Sequence, residues 1–313
     1  MSQRFTREAP AGTPDTARRD GRCPICGSVA TPAGQTVGRW RARPYHLARC
    51  ETCAFAFITD PDTDFADIYN ADYYRGKGAD PLVHYESDVS APHISIRAYE
   101  LAGLVDYARA SVALKPRERW LDFGSGLGGF VEHLRRADIE AYGYDQGYAA
   151  GEALGRGVPM LSGDALIQAD GTFGVVSAIE VLEHVLDPLD TVQRIVRLLR
   201  PGGLFLYTTG NAAPFRKDLT RWSYVVPEIH VSFYEPRTML TIFERTGLVP
   251  LRPARRSTLH KVIRYKIMKN LNIARAGVLD RFLPWPLLAN LADRRFQISS
   301  MVLATKATPG PRR

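Results

Sequence analysis

Residues 120–130 constrain the fold most strongly, because they join an apolar segment that ends in an acid to a glycine-rich loop. They read Trp-Leu-Asp-Phe-Gly-Ser-Gly-Leu-Gly-Gly-Phe. Glycine lets the backbone approach a ligand where a Cβ would collide, and the first N–H groups of a following helix point at the same place. The segment therefore predicts a strand, a turn that binds a nucleotide-like cofactor, and a helix over Phe130–Arg136.

A second apolar segment that ends in an acid follows roughly 20 residues later, at the distance expected for a strand-helix-strand unit. It reads Ala-Tyr-Gly-Tyr-Asp and ends at Asp145. A carboxylate at this position accepts hydrogen bonds from both hydroxyls of a ribose. NAD sites use an acid there too, and Gly124, Gly126 and Gly129 also fit the NAD fingerprint, so the loop alone does not identify the cofactor.

The segments around this unit favour S-adenosylmethionine. Asp122 precedes the first glycine, Gly163-Asp164-Ala165 follows a third apolar segment, an apolar strand begins near Gly174, and Pro201-Gly202-Gly203 precedes a fifth strand. In this order the series resembles the class I methyltransferases over roughly residues 95–306. The resemblance implies an α/β, Rossmann-like fold with a seven-stranded sheet.

The same resemblance assigns the cofactor site. It places Asp122, Gly124 and Gly126 around the methionine end of S-adenosylmethionine and Asp145 on the ribose hydroxyls. It places Asp164 and Ala165 beside the adenine, and Glu180 in the same cleft. The alternative for each acid taken alone is a helix N-cap or a solvated loop residue.

All four cysteines lie near the N-terminus as two C-x-x-C pairs, Cys23 with Cys26 and Cys50 with Cys53. Two such pairs match a closed, tetrahedral zinc site with a structural or docking role. The alternatives are redox dithiols, or a mixed site in which His46 replaces one thiolate. We predict a zinc ribbon over residues 21–60, after a disordered tail over residues 1–20.

An aromatic connector is predicted over residues 61–94, where Ile68–Tyr74 contains three tyrosines. Packing between the ribbon and the main domain is the favoured interpretation, because aromatic clusters usually belong to a core. The alternative is a roof over the active site. A helix is predicted next, from Ile94 to Ala113.

The segment Glu180-Val-Leu-Glu-His184 follows the fourth strand and resembles that of the ubiquinone-pathway O-methyltransferases. It is also similar to small-RNA 2′-O-methyltransferases, in which the acids and histidine of this segment bind a divalent metal together with a later histidine. His230 is the later histidine here. We predict Glu180, His184 and His230 as catalytic residues, with three roles open: a general base or orienting group, a divalent metal site completed by Glu183, or a purely structural turn.

A zinc ribbon before this domain also resembles the NDP-sugar C-methyltransferases. Those enzymes carry a Glu-His pair after the fifth strand, whereas Ile229 stands before His230 here. Proton removal from a sugar carbon requires a strong, positioned base, so the departure favours O-methylation over C-methylation.

Residues 251–296 form a predicted helical insertion before the last strand, and they hold the positive charge of the chain. They contain eleven Arg or Lys against Asp280 and Asp293, a net charge of +9, while the whole chain has a net charge of +8. A helix with an apolar face opposite Lys261, Lys266 and Lys269 suits an anionic membrane surface or an acidic partner. Nucleic acid is the competing partner. The alternative favoured over each of these is a lid that packs on the core and keeps a solvated basic face.

The sequence as a whole predicts an enzyme that methylates the oxygen of a small hydroxylated acceptor, such as a sugar or a glycolipid. A sugar C-methyltransferase, a zinc-ribbon RNA methyltransferase and a non-catalytic cofactor-binding scaffold stay as alternatives. The polar, Arg- and Pro-containing start and the absence of a long apolar run predict a cytoplasmic location, with contact at the inner face of a membrane as a variant. A disordered tail is predicted over residues 307–313.

Overall fold

The computed structural model describes residues 21–79, 85–90, 92, 95–115, 117–251, 259–271, 273, 282–296 and 304–307. The predicted tail over residues 1–20, and all but Ala307 of the tail over residues 307–313, lie outside the described residues. So do parts of the predicted connector and of the predicted insertion.

The N-terminal part begins with three short strands, β1 (Thr31–Val37), β2 (Pro44–Arg49) and β3 (Ala56–Ile58). Strand β2 pairs antiparallel with both β1 and β3. Three short helices follow: α1 (Phe65–Ile68), α2 (Ala71–Tyr74) and α3 (Tyr85–Ser90). The side chain of Asn70 caps α2 by accepting hydrogen bonds from the N–H groups of Asp72 and Tyr73, which fixes where this helix begins.

The main α/β unit alternates helices and strands. Its elements are α4 (Arg97–Ser111), β4 (Arg119–Phe123), α5 (Gly129–Arg136), β5 (Glu140–Tyr144), α6 (Gly147–Gly155), α7 (Gly163–Gln168), β6 (Phe173–Ile179), α8 (Pro188–Leu198), β7 (Leu199–Thr208), β8 (Ser232–Phe233), α9 (Pro236–Thr246), β9 (Leu248–Pro250), α10 (His260–Asn270), α11 (Trp285–Phe296) and β10 (Ala304–Ala307). Every residue of β6 is buried, as expected for a parallel strand covered by helices on both faces.

The main sheet has the order β5-β4-β6-β7-β10-β9. Strands β5, β4, β6 and β7 are parallel, and β10 is antiparallel to both neighbours. The predicted α/β, Rossmann-like class is confirmed. Within the described residues the sheet has six strands, because the expected edge strand is reduced to one parallel bridge between Gly143 and Met160. The chain leaves the sheet there, since Ser162 caps α7 two residues later.

The three strands of the predicted ribbon are joined to the main unit by a second sheet of order β1-β2-β3-β8. Ala56 pairs with Phe233 and Phe57 with Ser232, so the strand that follows His230 belongs to the ribbon sheet. Two further contacts reach α9. The Thr238 hydroxyl donates to the Cys53 carbonyl at 2.9 Å, and Arg245 donates to the Ile25 carbonyl at 2.7 Å.

The insertion packs on the core through α10, which lies against α4. A Cβ on Gly103 of α4 would come within 2.8 Å of Val262, so the close approach of the two helices depends on this glycine. Lys261 pairs with Asp106 at 2.6 Å. The prediction that Lys266 belongs to a polar outer face was wrong, because packing against α4 turns it inward to Glu180. Within the described residues, no helix combines the length and apolar character needed to cross a bilayer.

Candidate active site

A cavity of about 1100 Å³ opens at the carboxyl ends of β4, β5 and β6. Ligands of open α/β sheets bind at this edge, because loops that follow the parallel strands converge there. The glycine loop after β4 lines one part of the cavity, and His184 with the aromatic connector lines another.

The glycine loop is shaped for close approach of backbone to a ligand. Gly124, Gly126 and Gly128 have φ values of +75°, +52° and +82°, which favour glycine. Asp145 at the end of β5 accepts hydrogen bonds from the N–H of Gly126 at 2.6 Å and from the N–H of Gln146 at 2.7 Å. Burial nevertheless raises the pKa of the Asp145 carboxyl above its usual value. The structure therefore brings Gly124, Gly126 and Asp145 together on the cavity wall.

Asp122 at the end of β4 is buried and lines the same cavity. Burial raises the pKa of its carboxyl to about 7, although the Ser177 hydroxyl donates to it at 2.7 Å and Arg97 attracts its charge. Trp120 donates in turn to the Ser177 hydroxyl at 2.9 Å. A cationic ligand beside Asp122 would favour its ionised form.

The structure does not bring Asp164 and Ala165 to the cavity. Asp164 is exposed in the first turn of α7, and neither residue lines the cavity wall. The Ser162 hydroxyl accepts the N–H of Ala165 at 3.2 Å, which is an N-cap contact. The sequence carried this signal, because Ser162 stands three residues before Ala165.

Glu180 follows β6 with a φ of +55°, a left-handed conformation that is strained for a residue with a side chain. Its carboxylate accepts hydrogen bonds from Lys266 at 2.7 Å and from the Tyr224 hydroxyl at 3.3 Å. Burial alone would raise the pKa of Glu180, but Lys266 and Lys269 outweigh burial and hold that pKa well below its usual range. Glu180 is therefore an ionised residue of the cavity wall.

His184 lies on the cavity wall with its Nδ1 atom 3.0 Å from the Ile229 carbonyl oxygen and 2.9 Å from the Tyr69 hydroxyl. A carbonyl oxygen only accepts, so the geometry assigns the proton to Nδ1 and the lone pair to Nε2. Burial, assisted by the nearby His230, lowers the pKa of His184 to about 4. The ring is thus a neutral acceptor at physiological pH.

His230 lies behind His184 and does not line the cavity, and the two ring centroids are 4.8 Å apart. Its Nδ1 atom donates to the Tyr224 carbonyl at 2.6 Å, which leaves the lone pair on Nε2. The buried Glu183 accepts hydrogen bonds from the hydroxyls of Thr209 at 2.7 Å and Tyr224 at 2.5 Å. Burial and then the charge of Glu180 raise the pKa of Glu183.

Three of the four predicted ligands of a second metal lie close together. Ligand atoms of Glu183, His184 and His230 fall within 4.8 Å of one another, but Glu180 is not part of this group. Glu180 is held by Lys266 instead, so the four residues do not form one site in this structure.

The aromatic connector reaches the cavity. Tyr69, Tyr73 and Tyr74 line its wall, and the Tyr69 and Tyr73 rings meet edge to face with centroids 5.0 Å apart. Tyr74 also stacks on Tyr148, which follows the Asp145 loop. The alternative of a roof over the site therefore matches the structure better than packing between the ribbon and the main unit.

The four cysteines form a compact cluster away from this cavity. Cys23 and Cys53 have their sulfur atoms 3.5 Å apart, and Cys26 and Cys50 have theirs 3.4 Å apart. Thiolates about 2.3 Å from a tetrahedral zinc ion would be about 3.8 Å apart, so the donor set fits this metal. His46 lies outside the cluster and bonds to Asp60 at 3.0 Å.

Sequence reasoning missed three residues of the site. Lys266 was placed on the wrong face of its helix, while Arg97 and Tyr224 were not singled out. Arg97 lines the cavity, and Tyr224 contacts both acids of the Glu180–His184 segment. Neither belongs to a recognisable motif, so no local signal pointed to them.

A sequence model described as a methyltransferase domain matches residues 93–252, about half of the chain. The chain belongs to the class I S-adenosylmethionine-dependent methyltransferases. The matched range contains the glycine loop, Asp145, His184 and His230 of this methyltransferase.

Curated relatives of the methyltransferase include the ubiquinone biosynthesis O-methyltransferase of Vibrio cholerae, which is 30% identical over 152 residues, or 42% of this chain and 61% of the relative. The protein of the same name from Parvibaculum lavamentivorans is 36% identical over 110 residues, or 32% of this chain and 44% of the relative. The chain thus spans 44–61% of the length of these two relatives.

Two of the solved structures that are similar to the methyltransferase have low sequence identity to it. A Haloferax volcanii complex of the Trm112 methyltransferase activator with a putative methyltransferase matches with a TM-score of 0.46 and 15% identity, covering 72% of this chain and 98% of that chain. A putative methyltransferase from Bacillus halodurans matches with a TM-score of 0.39 and 23% identity, covering 48% of this chain and 69% of that chain.

Proposed function

We propose that this methyltransferase transfers a methyl group from S-adenosylmethionine to an oxygen atom of a small hydroxylated acceptor, such as a sugar or a glycolipid. The observation that carries the proposal is the position of His184, which lines the same cavity as the glycine loop and turns the lone pair of Nε2 away from its Ile229 contact. Such an imidazole accepts a proton from a hydroxyl group.

The residues around the glycine loop fit the cofactor. Gly124 and Gly126 keep the wall free of Cβ atoms, and Asp145 offers a carboxylate where a ribose would need one. Glu180 places negative charge on the wall, and Asp122 adds to it when ionised, which suits the positive charge of a sulfonium. When bound, S-adenosylmethionine supplies an electrophilic methyl group.

The protein would contribute proton transfer and positioning. His184 would take the proton of the acceptor hydroxyl at Nε2, while the Ile229 carbonyl holds the ring in the required tautomer through Nδ1. Tyr69 would fix the same ring from the cavity side. The tyrosines of the connector would exclude water from the acceptor.

A metal-assisted variant of the same reaction is supported by the shared orientation of the two histidines. Each donates its Nδ1 hydrogen to a backbone carbonyl, the usual arrangement for a histidine that binds metal through Nε2. Glu183, His184 and His230 would then hold a divalent ion that lowers the pKa of an acceptor hydroxyl. Loss of activity on chelation and its recovery with Mg²⁺, Mn²⁺ or Zn²⁺ would favour this variant.

We further propose that the four cysteines bind a structural zinc ion. Such a site leaves no open coordination position, so its role would be to hold the ribbon. Because β8 pairs with β3, the ribbon would also hold the segment that carries His230.

The first test is calorimetric titration of the zinc-loaded protein with S-adenosylmethionine and with NAD. We expect binding of S-adenosylmethionine only, lost in Asp145→Ala and kept in Asp164→Ala. The second variant is the matched control, because Asp164 is an exposed acid outside the cavity wall. Binding of NAD, or of neither ligand, would contradict the proposal, and loss in Asp164→Ala would instead support the predicted adenine contact.

Turnover tests the chemical step separately. A screen of NDP-sugars and phenols should find an acceptor that is methylated on oxygen, and His184→Gln should lose turnover while keeping S-adenosylmethionine affinity. An unchanged rate in His184→Gln would rule out the assigned base.

A further inference from the structure

Helix α11 carries apolar residues on two opposite sides. Trp285 and Ala289 are 7% and 2% exposed and face the core, whereas Leu287 and Leu291 are 59% and 54% exposed. Residues four apart share a helix face, and positions two apart differ by roughly 200°, so the two sets lie on opposite sides of the helix. Packing against the protein therefore accounts for the apolar residues Trp285 and Ala289 but not for Leu287 and Leu291.

Two further exposed apolar residues stand just before the helix in the chain. Phe282 is 79% exposed and Leu283 is 47% exposed. We call Phe282, Leu283, Leu287 and Leu291 the outer stripe. Four neighbouring large apolar side chains in water are unfavourable by the hydrophobic effect, and such patches mark interaction surfaces.

The outer stripe belongs to the positively charged part of the chain. The insertion over residues 251–296 has a net charge of +9, which exceeds the +8 of the whole chain. Asp280 and Arg281 stand directly before the stripe in the chain, and in the last turn of α11 Arg294 is exposed whereas Asp293 is buried. The net charge of the insertion therefore favours an anionic partner.

Charge and apolar surface together identify the partner. A second copy of the chain would bring two strongly positive insertions together, which repel. Nucleic acid offers phosphates but no apolar phase for leucine side chains. An anionic bilayer offers both lipid phosphates and an acyl boundary into which an amphipathic helix inserts its apolar face.

We propose that the outer stripe docks on the surface of an anionic lipid bilayer, with α11 lying in the plane of the interface. The leucines and Phe282 enter the boundary between headgroups and acyl chains, while the neighbouring arginines contact lipid phosphates. This inference does not rest on the proposed methyl transfer, because it concerns a surface outside the cavity.

The test is co-sedimentation of the full chain with vesicles of phosphatidylcholine alone and of phosphatidylcholine mixed with phosphatidylglycerol. We expect binding to the mixed vesicles only, weakened by salt. Leu287→Glu/Leu291→Glu should reduce binding by about tenfold or more, because two apolar groups are replaced by charges that phosphates repel. The matched control is Leu154→Glu/Leu240→Glu, which alters leucines 63% and 51% exposed outside the insertion and should bind like the wild type.

Two outcomes of the co-sedimentation would overturn the proposal. One is absence of binding to the mixed vesicles, and the other is equal binding by the outer-stripe and control variants. Calorimetric affinity for S-adenosylmethionine, with circular dichroism, verifies that both variants are folded. Sedimentation velocity tests whether a second copy of the chain covers the outer stripe instead. A dimer that forms in the wild type and is lost in the outer-stripe variant would assign the surface to that second copy and overturn the proposal.

Discussion

Lys266 places its ammonium 2.7 Å from a carboxylate oxygen of Glu180 and 3.4 Å from one of Glu100. One cation of the insertion thus lies between the loop after β6 and helix α4. Glu100 is fully buried and Glu180 largely so, hence the ammonium compensates negative charge that is poorly solvated. The insertion therefore covers α4 and holds Glu180, a residue of the cavity wall, although none of its own described residues lines the cavity.

Replacement of Lys266 by methionine should destabilise the protein. Removal of one partner of a buried ion pair typically costs about 3–5 kcal/mol in the free energy of unfolding, because the remaining charge stays buried. Denaturant unfolding measures the loss. The matched control is Lys261→Met, whose pair with Asp106 is partly exposed and contributes about 1 kcal/mol or less. Equal losses in the two variants would show that Lys266 has no special role.

Removal of the metal proposed at the cysteines should loosen the site that contains His230. The ribbon strand β3 pairs with β8, and the N–H of Ile58 donates to the Val231 carbonyl at 3.0 Å, next to His230. A strong chelator, or Cys50→Ser, should release zinc, lower the melting temperature and increase amide hydrogen exchange over residues 230–233. Mass spectrometry of the native protein and hydrogen exchange provide the readouts. If hydrogen exchange increases only within residues 21–60, the metal stabilises the ribbon alone and not the segment that contains His230.

Affinity for S-adenosylmethionine should rise with pH through the pKa of Asp122. Burial raises this pKa to about 7, so the carboxyl is mostly neutral below that value and ionised above it. A sulfonium cation prefers the ionised form, so the affinity should increase by about three- to tenfold from pH 6 to pH 8. A tenfold increase means that the bound cofactor lowers the pKa of Asp122 by about one unit. Calorimetry across this range measures the slope, and Asp122→Asn should flatten it. An unchanged slope in the variant would assign the dependence to another group.

The parts of the site that are local in sequence were predictable. The glycine loop and Asp145 follow directly from strand, turn and helix signals, and the cysteine pairs follow from their spacing. Asp164 shows the limit of this reasoning, because an acid after an apolar segment predicts a strand end, yet here the chain forms only a bridge at Met160 before Ser162 caps a helix. A short capping signal decided the geometry of this segment.

The inward position of Lys266 was not predictable from the helical pattern of the insertion. Its direction is set by how α10 docks on α4, and this docking depends on the missing side chain of Gly103, more than 150 residues earlier in the chain. The contact of Tyr69 with His184 is of the same kind, since it joins the connector to a loop 115 residues away. Such pairs depend on tertiary packing, which periodicity does not contain.

Removal of the Tyr69 hydroxyl should slow turnover without a change in cofactor affinity. The hydroxyl lies 2.9 Å from Nδ1 of His184, so Tyr69→Phe keeps the aromatic wall but loses one contact that orients the imidazole. Loss of one such hydrogen bond is worth about 1 kcal/mol, which corresponds to about a fivefold fall in kcat. The control is Tyr148→Phe, which changes another tyrosine of the cavity wall that stacks on Tyr74. Steady-state kinetics with the acceptor found in the screen separate kcat from KM. A fall in kcat confined to Tyr69→Phe would assign Tyr69 a positioning role toward His184. Equal kcat values in the two variants would show that the connector contributes to the site by packing only.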